Sequence, residues 1–355
     1  MRVSCVTAER MVIELCYRMK GTCMEEKYLV SILCTAYNHE KYIRQTLESF
    51  LSQKTNFKYE IIVHDDASED KTPEIIRELA AEHADIICPI YQKENQYKND
   101  PDMLSLLVPK ARGKYIAICE GDDYWTDPGK LQMQVDWLET HPDYSACVHN
   151  SIKHWCSDGE ESLYNTVCTE DSDLGFKDIV GKVGSVFHYS SIVGRTVLFE
   201  KLPDFYETSI KYRIGDHPLA IWLSLNGKIR YFNKAMSLYR LFSIPLAWSS
   251  QTQEISRTIF WLEGSLAMLA TVRPHIHGDD KVFLENALLR YEWEMLQAKG
   301  EYSRMKESPY DVLYRQAPVT QRLWISFKQY FPSIYCMYMK LRGRENGIPE
   351  SLRKR

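Results

Sequence analysis

The 355-residue chain has ten cysteines and no pair spaced C-x-x-C, so neither a zinc site nor a redox dithiol is signalled. They are scattered, and Cys34, Cys88 and Cys119 fall inside apolar runs, where a thiol behaves as a small hydrophobe. Reduced thiols in a cytoplasmic protein are the simplest expectation. An excess of positive charge is also missing: 44 Lys and Arg against 48 Asp and Glu leave a net −4. No nucleic-acid partner is expected on that balance. No run approaches the roughly 18 apolar residues of a membrane-spanning helix. Residues 1–27 mix charges through every apolar stretch and lack a signal-peptide core. We expect them to be an N-terminal extension, with Met24 as the natural start and the first 23 residues weakly structured. A glycine-rich phosphate loop is absent after the first apolar run, where Thr35-Ala36-Tyr37-Asn38-His39-Glu40 stands. That absence disfavours a nucleotidyltransferase.

What is present is ordinary globular composition, 45% apolar and 26% charged. Short apolar runs alternate with helical spacing through the first half. Strands are expected at 28–35, 59–64, 85–91, 115–119 and 144–148, and helices near 43–51, 72–81, 101–111 and 130–138. Near-continuous apolar strands interleaved with helices imply a mostly parallel, doubly wound α/β sheet covered on both faces. Beyond about residue 150 the pattern changes. Residues 156–173 are polar and loop-like, 183–199 read as strand, 217–225 as helix and 229–232 as a short strand. From residue 250 the chain reads as helices at 254–271, 280–299 and 319–342. The expected division is 28–249 as the α/β region, split into 28–150 and 151–249, with a C-terminal helical region at 250–355.

Chemistry-bearing residues collect at the ends of the expected strands. Glu120-Gly121-Asp122-Asp123 sets three carboxylates within four positions, directly after an apolar strand. Carboxylates so close repel one another unless something positive lies between them. A hard divalent cation, Mg²⁺ or Mn²⁺, is the usual remedy, and it leaves coordination positions for substrate phosphates. Asp65 and Asp66 close the second strand and suit the N–H and hydroxyl groups of a nucleoside. Thr35, Tyr37 and Asn38 close the first strand; Tyr37 suits stacking on a base, and Asn38 equally suits a helix N-cap. Lys93, just past the third strand, either reaches the nucleotide or is a solvated loop lysine. Asp216 opens a helix before Pro218, as its N-cap or as a general base.

Taken in register, these residues resemble the family 2 glycosyltransferases over residues 28 to about 243. The match is carried by Val30-Ser31-Ile32-Leu33-Cys34-Thr35-Ala36-Tyr37-Asn38, Val63-His64-Asp65-Asp66-Ala67-Ser68, Ala111-Arg112-Gly113-Lys114, Glu120-Gly121-Asp122-Asp123-Tyr124-Trp125, Gly215-Asp216 and Tyr239-Arg240. The resemblance implies a GT-A fold and an inverting transfer of a sugar from a nucleotide-diphosphate sugar, UDP-linked by preference. The acceptor would be a hydroxyl of a carbohydrate or lipid-linked glycan, in cell-surface polysaccharide or glycoconjugate synthesis. It implies Thr35, Tyr37, Asn38, Asp65, Asp66 and Lys93 at the nucleotide, Asp122 and Glu120 at the cation with Asp123 beside them, and Asp216 as catalytic base. Two departures stand out. Glu120 replaces the commoner Asp, and Phe242 stands where relatives carry a histidine, leaving His188 or His217 to substitute. An inactive sugar-nucleotide-binding partner subunit is the alternative that Phe242 raises. The tail, with Arg322-Leu323-Trp324 and Tyr335 to Leu341, suits either peripheral contact with the inner face of a membrane or packing as an accessory helix. The oligomeric state stays open.

Overall fold

The computed structural model describes residues 28–98, 102–243, 254–342 and 344–353. The expected N-terminal extension (1–27) and the expected boundary at 249–250 lie outside the described residues.

The first half alternates strand and helix as the apolar spacing dictates: β1 (Val30–Ala36), α1 (Ile43–Leu51), β2 (Tyr59–Asp65), α2 (Thr72–Glu82), β3 (Ile87–Tyr91), α3 (Met103–Leu107) and β4 (Tyr115–Ile118). β1 pairs in parallel with both β2 and β4, and β2 with β3. Val30, Ile32, Leu33, Cys34, Ile61, Ile62 and Val63 are buried on both faces of these strands. Because the four strands run the same way, their carboxyl ends share one edge, the place where open α/β sheets hold ligands.

The second half supplies β5 (Tyr124–Trp125), α4 (Lys130–Thr140), β6 (Tyr144–Trp155), β7 (Glu161–Leu163), β8 (Ser172–Leu174), α5 (Phe176–Val180), β9 (Val193–Arg195), α6 (Thr196–Phe199), α7 (Asp204–Ile210), α8 (Asp216–Leu225) and β10 (Lys228–Leu241). The sheet order is β3-β2-β1-β4-β9-β6-β10-β5, with β7 on β6 and β8 on β10. It is a mixed, mostly parallel sheet; β9 runs antiparallel to β4 and β6, and β5 antiparallel to β10. The strand expected over 183–199 is only Val193–Arg195. Val186, Phe187 and Ile192 are buried from loop and 3₁₀ geometry around Tyr189–Ser191, so their apolar spacing reports core contact without a ladder. The short strand expected at 229–232 extends fourteen residues, through register shifts near Ala235 that let it follow β6.

The C-terminal helices are α9 (Ile255–Val272), α10 (Asp280–Lys299), α11 (Asp311–Gln316), α12 (Val319–Tyr330), α13 (Pro332–Leu341) and α14 (Glu350–Arg353). The single helix expected at 319–342 breaks at Phe331-Pro332, since proline lacks the N–H a continuing helix needs and instead opens the next one. Leu262, Met268, Leu269, Leu284 and Tyr291 of α9 and α10 join the same apolar core as Ile116, Phe205 and Ile221. A smaller core around Trp293, Tyr302, Met305, Ile325 and Tyr335 holds the last helices. Among the described residues no helix is long and apolar enough to cross a membrane.

Candidate active site

The acidic turn is fixed from three sides. The Cys119 and Gly121 N–H groups donate to the Leu33 and Thr35 carbonyls at 3.1 and 2.8 Å, carrying the β1–β4 ladder past the end of β4. Gly121 is required by this approach: a Cβ there would stand 2.9 Å from His39 Nδ1 and 3.0 Å from the Thr35 carbonyl oxygen. From α1, the Thr46 hydroxyl lies 2.6 Å from the Asp123 carbonyl oxygen and 3.0 Å from that of Gly121. From β10, the Arg240 N–H donates to Asp123 Oδ1 at 2.8 Å, and the Arg240 guanidinium donates to the Asp122 carbonyl. That guanidinium also lies over the rings of Tyr42 and Tyr124, at 4.7 and 4.8 Å.

Held this way, the carboxylates cannot move apart. Asp123 is 1% exposed, and among the described residues its Oδ2 has no hydrogen-bond partner. Burial, then the charges of Asp122 and Glu120, push its carboxyl well above the ordinary range. Glu120 is pushed up to about 8 by burial first, then by Asp122 and Asp216. His188 completes the group, its Nε2 3.7 Å from Asp123 Oδ2. Its ring stacks on Tyr239 at 4.0 Å, and burial pushes it down to about 3, so it is a neutral imidazole. One ligand atom from each of Glu120, Asp123 and His188 lies within 4.8 Å of the others. Two carboxylates, a neutral imidazole and an orphaned buried carboxylate oxygen fit a divalent cation. Asp122 is half-buried beside them, and its Oδ2 accepts a 2.7 Å bond from the Ser243 hydroxyl. Phe242, just before that serine, has φ +60°.

At the neighbouring strand ends, Thr35 and Tyr37 are half-buried, and Asp65 is buried with Oδ1 unpartnered. Asn38 and Asp66 shape the loops. Asn38, at φ +57°, donates its N–H to Ser68 Oγ and accepts from Glu69 N–H. The Asp66 carboxylate accepts from the N–H groups of Gln96 and Tyr97, at 2.7 and 3.1 Å. Lys93 is exposed on the loop beyond β3.

Asp216 is the first residue of α8, and its Oδ1 accepts from the His217 N–H at 2.8 Å. Burial raises its pKa. His217 lies buried behind it, pushed down to about 4 by burial, with Nδ1 3.1 Å from the Tyr291 hydroxyl of α10. That hydroxyl also accepts from the Gly184 N–H at 2.8 Å. The charges of Asp122 and Asp216 both bear on Glu120, and the Asp123 N–H closes the turn on the Glu120 carbonyl; the structure also adds residues the sequence did not single out. Tyr291 and Ser243 carried no sequence signal, and Arg240 appeared only as part of a motif.

The description "Glycosyl transferase family 2" fits residues 31–191. An uncharacterized protein of Mycobacterium tuberculosis is 33% identical over 254 residues, covering 70% of this chain and 69% of its own. The Escherichia coli UDP-Glc:α-D-GlcNAc-diphosphoundecaprenol β-1,3-glucosyltransferase WfaP is 29% identical over 200 residues, 56% of this chain and 71% of that protein. Among solved structures, Staphylococcus aureus TarS 1–349 in complex with UDP-GlcNAc has TM-score 0.55 at 14% identity and covers 92% of each chain. The mannosyltransferase PcManGT of Pyrobaculum calidifontis, in complex with GDP-Man and Mn²⁺, has TM-score 0.54 at 17% identity and covers 96% of this chain and 95% of its own. The two structural likenesses concern the fold.

Proposed function

The chain belongs to the family 2 glycosyltransferases, and we propose that it is an inverting, cation-assisted enzyme that moves a sugar from a UDP-sugar to a hydroxyl of a lipid-linked glycan. The observation that carries this reading is the meeting of two halves. Asp216, from the start of α8, is near enough to the acidic turn of β4 for its charge to raise Glu120. A base and a cation site would thus serve one reaction centre. The UDP and lipid-linked preferences rest on WfaP, whose name specifies both. Buried free thiols at Cys34, Cys119 and Cys147 accord with a cytoplasmic setting.

Thr35, Tyr37 and Asp65 line the nucleotide side, where the unpartnered Asp65 Oδ1 accepts an N–H of the base. Mn²⁺ or Mg²⁺ held by Glu120, Asp123 and His188, with Asp122 beside them, would neutralise the diphosphate leaving group as a Lewis acid. Asp216 takes the proton of the acceptor hydroxyl as that oxygen bonds to the anomeric carbon and the bond to the diphosphate breaks. Attack opposite the leaving group inverts the configuration. A carboxylate base lifted by burial is better matched to this task than an ordinary aspartate. Arg240 and Thr46 act as positioning residues by holding the acidic turn.

The test is turnover of UDP-glucose and related nucleotide sugars with Mn²⁺, read as UDP release and as the anomeric configuration of the product. Asp216→Asn is expected to lose about 10²–10⁴-fold in transfer with donor affinity unchanged. Normal turnover by Asp216→Asn would remove it as base. Phe242, in place of a histidine, favours the second reading, a binding subunit. Donor binding with no UDP release from any nucleotide sugar would decide for it.

A further inference from the structure

We infer that α12 and α13 form a docking surface for an anionic lipid bilayer, lying in the interface plane. The first observation is an apolar stripe that the fold leaves uncovered. On α13, Ile334, Met337, Tyr338 and Leu341 follow i, i+3, i+4, i+7 spacing and are all exposed, Leu341 by 81%. The inward side of the same helix is already used, since Tyr335 and Met339 pack into the small C-terminal core. On α12 and the junction, Val319, Leu323, Trp324, Tyr330 and Phe331 are exposed too.

The second observation is that the two helices share one patch. The Trp324 ring meets Tyr338 edge-on at 6.0 Å and stacks on Phe327 at 5.3 Å, and Phe327 contacts Phe331 at 5.8 Å. Soluble surfaces rarely expose large contiguous apolar patches, and one built of aromatic and aliphatic side chains marks an interaction site. Tyr and Trp, with apolar bodies and polar tips, suit the headgroup boundary of a membrane.

The third observation is charge. Residues 312–344 contain no Asp or Glu and six cations, Arg315, Arg322, Lys328, Lys340, Arg342 and Arg344, in a chain whose net charge is −4. Lys328 points inward, among the rings of Tyr302, Trp324 and Tyr335. Arg315 pairs with Asp311. Lys340, Arg342 and Arg344 remain exposed at the end of the apolar stripe. An acid-free, basic, apolar face complements anionic headgroups. It is poorly suited to a second copy of itself, because a two-fold interface would set like charges against one another. At ten residues α13 is about 15 Å long, half the bilayer core, so it lies along the surface and does not span it.

The experiment is co-sedimentation of the full chain with vesicles of equimolar phosphatidylglycerol and phosphatidylcholine, against pure phosphatidylcholine. Binding to the anionic vesicles is expected, weakening as salt rises. The triple variant Ile334→Ser, Met337→Ser, Leu341→Ser and the double variant Lys340→Glu, Arg342→Glu should each bind about tenfold more weakly or worse. Both change only exposed side chains, and circular dichroism with donor hydrolysis verifies that each is folded. Failure of the wild-type chain to sediment with anionic vesicles overturns the inference. So does a wild-type dimer by analytical ultracentrifugation that the triple variant converts to monomer while vesicle binding is unchanged.

Discussion

Single residues decide how the acidic turn works. The crowding of Glu120, Asp122 and Asp123 is visible in sequence because charge repulsion between neighbours needs no fold to be recognised. His188 is different: a lone histidine between Phe187 and Tyr189 has no periodicity, and only the 3₁₀ turn that follows it aims the ring at Asp123. Asp66 adds a structural role that the sequence does not show, since each of its carboxylate oxygens accepts one N–H bond, from Gln96 and Tyr97, and keeps acceptor capacity for a nucleoside hydroxyl. His188→Ala should lower Mn²⁺ affinity at least about tenfold by isothermal titration calorimetry. An unchanged affinity would leave the cation to Glu120 and the aspartates alone. Gly121→Ala should cost about 1–3 kcal/mol in urea denaturation, because the new methyl meets the Thr35 backbone at 3.0 Å and His39 at 2.9 Å. An undiminished unfolding midpoint would show that the turn has slack.

At the scale of elements, the sequence is clearest where one period governs one environment. β1, β2 and β4 are buried on both faces and read as continuous apolar runs, and α8 follows from its N-terminal Asp216 and Pro218. β9 and β10 are obscured because their extents depend on partners distant in sequence, as β10 does on β6. α4 hides another feature. Lys130, its first residue, is 0% exposed; its Nζ has no hydrogen-bond partner among the described residues and lies 4.0 Å from the centre of the Trp125 ring. Burial pushes it down to about 7. Between that value and the roughly 10.4 of an unfolded lysine, the unfolded chain carries the extra proton, so stability rises with pH across this window. Lys130→Met should therefore stabilise the protein by about 1–4 kcal/mol at pH 7, and the advantage should shrink as pH approaches 10. Urea midpoints of the two proteins at both pH values check it. A gap that fails to narrow would show that the lysine is stabilised by something other than the ring.

At the scale of the whole molecule, the candidate site draws on both halves of the sheet region and on the C-terminal helices: carboxylates from the sheet edge, His188 from the loop before β9, Arg240 from β10, and Tyr291 from α10 behind His217. The tail is legible as helices, but the contact of Tyr291 with His217 is not, because nothing in the spacing of α10 singles that tyrosine out. The same assembly should make global stability answer to pH and to an added cation. Glu120 is held near 8, against about 4.3 for an unfolded glutamate. Between those values the folded chain holds a proton that the unfolded chain has released, so this contribution is complete below about pH 4 and is lost as pH rises through 8. A divalent cation held by the ionised carboxylates would compete with that proton, so it should stabilise the fold more at pH 8 than at pH 6. Thermal unfolding with and without Mn²⁺ at the two pH values measures this directly. Glu120→Gln, which cannot ionise, should flatten the pH dependence of the cation-free protein and diminish the Mn²⁺ shift at pH 8. A Mn²⁺ shift equal at both pH values and retained in Glu120→Gln would mean that the cation is held without this carboxylate.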